Sequence, residues 1–229
     1  MKICVIPARG GSKRIPRKNI KLFHNKPMIA WSIRAAKKSK IFDKIIVSTD
    51  DEEIAAEAEE RGVEVPFMRP KEISDDYTNT TDVISHSCEW ALKKKLPIEM
   101  VCCIYATAPF VRPADLRQAY EIFKSKRWEY VFTVGEYSTP IFRAFTKNDS
   151  GGVEMFNPEY FETRSQDLPK AYFDAGMFYM ATPNAWIKKL RIFDKHSYPL
   201  IIPNYRIQDI DNPADWERAE LMAKILLSK

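Results

Sequence analysis

No acidic residue occurs before Asp43, and the first 42 residues carry 12 lysines and arginines. Elsewhere 24 basic residues face 31 acidic ones, so the net charge of +5 conceals a chain polarised toward its N-terminus. A nucleic-acid binder spreads its basic stripe over a whole face. Here the cations gather around one loop and the helix after it, which points to a compact polyanion and away from nucleic acid. Lys37, Lys38 and Lys40 are the exception, reading as the favourable charges of a helix C-terminus. No apolar run approaches the ~20 residues of a membrane span. The N-terminus lacks the apolar segment and cleavage site of a secretory signal, so a cytoplasmic protein without a membrane partner is expected. The four cysteines, Cys4, Cys88, Cys102 and Cys103, form no C-x-x-C pair. Buried, reduced thiols are expected. No repeat, low-complexity tract or catalytic triad is visible, and His24, His86 and His196 have no motif context.

What the chain does have is concentrated at its start. The apolar run Ile3-Cys4-Val5-Ile6 reads as a buried strand. Residues 7–19, PARGGSKRIPRKN, follow at once, with two adjacent glycines, a serine and five cations. Paired glycines let a backbone approach a ligand and turn its N–H groups inward. Arginine and lysine supply charge for phosphate. The segment fits neither G-x-x-x-x-G-K-[ST] nor G-x-G-x-x-G, which excludes the two common phosphate loops. It reads as a loop wrapping a nucleoside triphosphate.

Further along, a helix is expected from Pro27 to Ser39, a strand over 44–49, and a helix over 52–61 capped by Asp50-Asp51 and ended by Gly62. A third strand is expected over 63–67. The alternation implies a parallel sheet with helices on both faces: a three-layer α/β/α, Rossmann-like fold. Thr80 or Thr81 is expected to cap a helix running to about Lys95. Residues 100–105 read as a central strand, a helix starts at Pro113, and a strand follows over 130–134. From 135 to 171 the rhythm gives way to turn signals, among them Asn148-Asp149-Ser150-Gly151-Gly152, and a small inserted lobe of short antiparallel strands is expected within a single domain. Strands over 172–182 and 200–203, a short helix over 183–190 and a final helix over 213–227 complete the pattern. Ligands of open α/β sheets lie beyond the carboxyl ends of the strands. The loops 9–19, 69–81 and 106–112 are therefore the expected site walls. In Asp209-Ile210-Asp211, alternate residues of an extended segment point the same way, so both carboxylates can face one cation. The alternative for Asp211 is capping of the last helix.

The order of motifs, IPARGGSKRIPRKN, VSTDDEEIA, VPFMRP, RSQDL and DAGMFY, resembles the CMP-sialic acid synthetase (acylneuraminate cytidylyltransferase) family, in particular its pseudaminic acid branch. The resemblance covers essentially the whole chain. It implies a homodimeric, Mg²⁺-dependent nucleotidyltransferase that joins CTP and a nonulosonic acid into a CMP-sugar, releasing pyrophosphate. Arg9, Lys13, Lys18 and Asp211 would carry catalysis, and Asp209 and Asp211 would hold Mg²⁺. Ala8, Gly10, Gly11, Ser12 and Asn19 would wrap the nucleotide, with Arg69, Thr80 and Thr81 toward the base or ribose. Tyr105 stands where the sialic acid branch commonly has a glutamine facing the sugar, which fits a differently substituted nonulosonate; otherwise it is a core residue at a strand end. Asp174 would form a wall of the sugar pocket. Arg143, Arg164 and Gln166 would reach toward the sugar carboxylate, in some members across a dimer interface. Sialic, legionaminic or another 2-keto sugar acid is the alternative substrate. A non-catalytic CTP-binding regulator is the alternative of a different class.

Overall fold

The computed structural model describes residues 1–227. A six-stranded mixed sheet forms its middle layer, built from β1 (Lys2–Pro7), β4 (Lys44–Ser48), β5 (Met100–Ile104), β6 (Tyr130–Glu136), β9 (Tyr172–Ala181) and β10 (Ser197–Ile201) in the order β10-β6-β9-β5-β1-β4. β1 runs parallel to both β4 and β5, and β6 parallel to β10. β9 is antiparallel to its neighbours β5 and β6. A two-residue pair, β2 (Leu22–Phe23) with β3 (Lys26–Pro27), stands apart from the sheet.

The period of two along β1 explains the layering. Cys4 and Ile6 face one core, shared with Met28, Ile29, Trp31 and Ile33 of α1 (Met28–Ser39), Ile54 and Ala58 of α2 (Glu52–Glu60), Leu116 of α4 (Pro113–Phe123) and Trp216 of α6 (Pro213–Leu226). Ile3 and Val5 face the other, against Ile84, Cys88 and Ala91 of α3 (Thr80–Lys93) and Trp186 of α5 (Pro183–Ile187). Burying each such large side chain contributes about 2 kcal/mol. β5 is buried along its whole length, as its unbroken apolar run requires of a central strand. All four cysteines are free and buried.

Several local readings are corrected. Residues 63–67 form no strand; they meet β4 through one isolated bridge, Ile46 with Glu64, and a second, Thr49 with Met68, lies just beyond. Pro66 between them has no N–H to give to a ladder. Neither Thr80 nor Thr81 caps α3. Asn79 does, accepting from the Asp82 N–H at 2.9 Å. Of the pair at 50–51, only Asp51 caps α2, accepting from the Ile54 N–H at 3.0 Å. Asp211 does not cap α6; Asn212 and Asp215 form a reciprocal capping box there.

Between β6 and β9 the chain leaves the sheet. It makes a hairpin of β7 (Phe145–Lys147) and β8 (Val153–Met155), closed by a turn with Gly151 at φ 89°, and a series of short 3-10 turns. Phe145, Val153, Phe156 and Phe161 of this excursion are exposed. Among the described residues no helix is long and apolar enough to cross a membrane.

Candidate active site

A cleft of about 330 Å³ opens beyond the carboxyl ends of β1 and β5. The loop after β1 forms one wall. Its base is set by packing and backbone bonds: Ile15 is buried, the Ala8 N–H donates to Ser48 O at 2.9 Å, and the Asn19 amide donates to Arg9 O at 2.9 Å. The Gly10 N–H donates to Asp50 Oδ1 at 3.0 Å. A Cβ on Gly10 would lie 2.5 Å from Asp51 Oδ2, so only glycine lets the loop lie against the start of α2. Asp50 is therefore a brace for the loop.

Arg9, Ser12, Lys13, Lys18, Asn19, Arg69, Thr80, Tyr105, Asp209 and Asp211, all singled out from the sequence, line this one cleft. Ala8 does not; it is buried and serves the loop through its backbone. Gly10 and Gly11 lie on the loop without lining the cleft, and Thr81 faces a separate groove beside Lys189 and Ile192. Asp174 is exposed and reaches the cleft only indirectly, through Tyr179 and Tyr105. Arg143, Arg164 and Gln166 are exposed on the excursion and do not line the cleft of their own chain; Arg164 pairs with Asp167 at 2.7 Å.

The cations meet the acids at two points. Arg9 sits 2.6 Å from Asp76, and Lys13 pairs with the same carboxylate. Across the cleft, Lys18 donates to Ile210 O at 2.6 Å and lies 3.4 Å from Asp211, while Arg14 pairs with Asp211 at 3.0 Å. Lys18 thus ties the loop after β1 to the carboxylate pair across 193 residues of sequence. Burial raises the Asp209 carboxyl above its ordinary value, and the neighbouring Asp211 adds to the rise. A cation between the two would relieve both costs. No group of three or more histidine, cysteine or acidic side chains able to hold a metal occurs among the described residues. Two carboxylates alone fit Mg²⁺, which takes one or two and completes its shell with substrate phosphates and water.

Arg69 is buried, with its nearest acid, Asp50, at 3.9 Å. Its Nε and Nη2 have no hydrogen-bond partner, and burial lowers its pKa. A buried guanidinium with unused donors beside a cleft is costly unless a ligand completes it. Thr80 Oγ1 and the Tyr105 hydroxyl lie 2.9 Å apart at the cleft floor.

Val83 lines the cleft from outside every loop expected to wall it; Thr78 and Thr107 lie within the expected walls but were not named individually, nor was Asp76 as partner of Arg9 and Lys13. The acids of the 69–81 turn, facing the excess of cations on the first loop, were the available signal. Only the folded chain brings the two loops together.

The sequence model of the cytidylyltransferase family matches residues 3–195. The chain is 45% identical over 223 residues to a pseudaminic acid cytidylyltransferase of Campylobacter jejuni, covering 97% of this chain and 96% of the relative. It is 31% identical over 230 residues to a CMP-N,N'-diacetyllegionaminic acid synthase of Legionella pneumophila, covering 97% and 96%. Among solved structures, a CMP:2-keto-3-deoxy-manno-octonic acid synthetase complexed with CTP has the same fold, with a TM-score of 0.71 at 17% identity over 98% of this chain and 99% of that one. The family match and the full-length relatives agree with the site's geometry, and the chain belongs to the cytidylyltransferase family.

Proposed function

We propose that this cytidylyltransferase transfers CMP from CTP to pseudaminic acid, giving CMP-pseudaminic acid and pyrophosphate. The observation that carries the reading is the convergence of Arg9, Lys13, Lys18 and the Asp209/Asp211 pair on one cleft, in a chain 45% identical to a pseudaminic acid cytidylyltransferase. The sugar's anomeric hydroxyl attacks the α-phosphorus in line, the bond to the β-phosphate oxygen breaks, and pyrophosphate leaves. Arg9 and Lys13 bind the β- and γ-phosphates once these replace Asp76. Lys18 lies beside Asp211 and meets the charge that develops at the α-phosphate and the leaving group. Arg69 uses its free donors on the nucleotide, and Ser12 of the loop after β1 holds the phosphates. Bound at Asp209 and Asp211, Mg²⁺ would neutralise phosphate charge and favour loss of the hydroxyl proton. Positioning and charge neutralisation suffice, and no covalent enzyme intermediate is required.

The same reading takes the chain as a single nucleotidyltransferase domain with a lobe at about 135–171 that pairs two copies in the cytoplasm. The exposed Phe145, Val153, Phe156 and Phe161 support it, since apolar side chains gathered on one protrusion mark a contact surface. Arg143, Arg164 and Gln166 would then serve the partner's cleft. Light scattering on the purified protein reads the mass directly, and a monomer at micromolar concentration would remove this part of the proposal.

Pyrophosphate release with CTP, offering pseudaminic, legionaminic and sialic acids separately, tests the substrate. The expected result is a CMP-sugar of the mass of CMP-pseudaminic acid and kcat/KM highest for that acid. Preference for another nonulosonate would replace the substrate and keep the reaction. Binding of CTP with no pyrophosphate from any acid would leave a non-catalytic regulator.

A further inference from the structure

We infer that the buried ion pair between Arg206 and Asp115 is a positioning device: it fixes the segment carrying Asp209 against the loop after β5, and so sets the acidic pair for its cation. The inference rests on the proposed metal role of Asp209 and Asp211. Neither Arg206 nor Asp115 lines the cleft.

Arg206 is 4% exposed and Asp115 9%, and they stand 91 residues apart in the chain. One guanidinium nitrogen, Nη2, donates to both Asp115 oxygens at 2.9 Å. Arg206 Nε is buried without a hydrogen-bond partner. Taking two charges out of water is costly, and the mutual attraction repays it only where the remaining donors are also satisfied. An ion pair with an orphaned donor is therefore a poor source of stability. What it supplies is a defined distance and direction between two pieces of chain.

Both pieces lead into the cleft. Asp115 sits in the first turn of α4, where its Oδ2 also accepts from the Arg112 N–H at 3.1 Å. Arg112 closes the loop whose Ala106 and Thr107 line the cleft. Arg206 ends a 3-10 turn, Asn204–Arg206, that follows β10 and stands three residues before Asp209. The approach to this turn is stitched to β6, with the Ile202 N–H donating to Val134 O and the Asn204 amide to Glu136 O, each at 2.8 Å. One carboxylate thus joins a wall of the cleft to the approach of the acidic pair.

The far side of the acidic pair has its own anchors. Ile210 is fully buried and its carbonyl accepts from Lys18, while the Asp211 N–H donates to Asp215 Oδ2 at 3.0 Å. The Asp211 side chain is held by Lys18 and Arg14. Asp209 enters no such pair among the described residues, so its direction falls to the backbone before it, which Arg206 anchors.

Removing one partner alone leaves an uncompensated buried charge and endangers the fold. The test is therefore the double variant Arg206→Met/Asp115→Leu, which puts apolar groups of similar size in place of both charges. Its melting temperature is expected to stay within about 5 °C of wild type. Mn²⁺ is titrated into enzyme and CTP without the sugar acid, and the enzyme-bound ion is read by its water-proton relaxation enhancement over Mn²⁺–CTP. Binding is expected to weaken about tenfold, the low end for residues that orient metal ligands. The Mg²⁺ concentration giving half-maximal pyrophosphate release should rise by a similar factor. At saturating Mg²⁺ the KM for the sugar acid should stay within about twofold of wild type. Arg206→Lys keeps both charges but loses the planar fork, and should move the two metal constants the same way by less. Tyr130→Phe is the control: it removes a buried hydroxyl that donates to Ala185 O at 3.1 Å away from the cleft, and should move neither. Metal constants equal to wild type in the folded double variant overturn the inference; if that variant does not fold, the same result in Arg206→Lys does so. An equal rise in the KM for the sugar acid also overturns it, since that marks a general disturbance of the cleft. A wild-type enzyme that neither binds Mn²⁺ nor responds to Mg²⁺ overturns the metal reading itself, and the inference falls with it.

Discussion

Asp76 holds Arg9 at 2.6 Å and Lys13 by a second contact, so one carboxylate occupies two of the cations assigned to the triphosphate. Those cations hold the Asp76 carboxyl below its usual range, and Asp76 stays ionised and in place at neutral pH. A triphosphate has to displace it.

Asp76→Asn should therefore bind CTP more tightly. Removing the competing charge frees Arg9 and Lys13, and an exposed pair of this kind is worth roughly a two- to fivefold change in affinity. Titration calorimetry with CTP reads the change. Weaker binding would mean that Asp76 contributes to the nucleotide site.

Arg69→Met should separate stability from function. Replacing a buried, incompletely paired charge by an apolar side chain of similar length is often neutral or stabilising. The melting temperature is expected to hold or rise, while the KM for CTP rises by roughly tenfold or more through loss of a charge-assisted contact. A lower melting temperature with normal CTP binding would make Arg69 a structural residue.

Asp211→Ala should lower kcat by roughly two orders of magnitude and weaken the response to added Mg²⁺. Pyrophosphate release followed across a Mg²⁺ titration gives both. Activity and metal dependence equal to wild type would remove the pair from the proposed metal site.

Asp51→Ala should cost about 1 kcal/mol at pH 7, the usual effect of losing an N-cap. Asp51 accepts from Arg17 Nη2 at 2.9 Å and from the Ile54 N–H at 3.0 Å. The Arg17 hydrogen bond is the larger cause that depresses its carboxyl below the ordinary 3.8. A depressed folded value makes the contribution fully present above about 3.8 and lost as pH falls through the lower folded value. Urea melts at pH 7 and pH 3 should therefore show the difference between wild type and variant shrinking at the lower pH; a constant difference would contradict the ion pairing.

The layers were legible because periodicity forces them. Ile3 and Val5 face one core and Cys4 and Ile6 the other, which requires helices on both sides of β1. Caps were less legible. Asp51 was found, but Asn79 was passed over for the threonines that follow it, because several adjacent side chains can each accept the same bond and the backbone angles decide among them. The strand expected over 63–67 failed on a single missing donor at Pro66.

At the site, the type of chemistry was written in the chain. Two glycines, a serine and five cations directly after a buried strand read as a phosphate loop from residue type and short spacing alone. What the loop faces depended on tertiary structure. Lys18 reaches Asp211 across 193 residues and Arg9 reaches Asp76 from a separate loop, contacts that only the crossovers of the sheet create. The contact between Tyr179 and Asp174 was hidden further still. Tyr179 and Asp174 stand at a spacing that a regular strand turns apart, and the break at Gly176 brings them together. The sequence by itself determined a layered α/β chain with a glycine- and cation-rich loop and an acidic pair; the tertiary structure decided which side chains those groups meet, because pairing across the sheet and one irregular strand set distances that spacing along the chain does not encode.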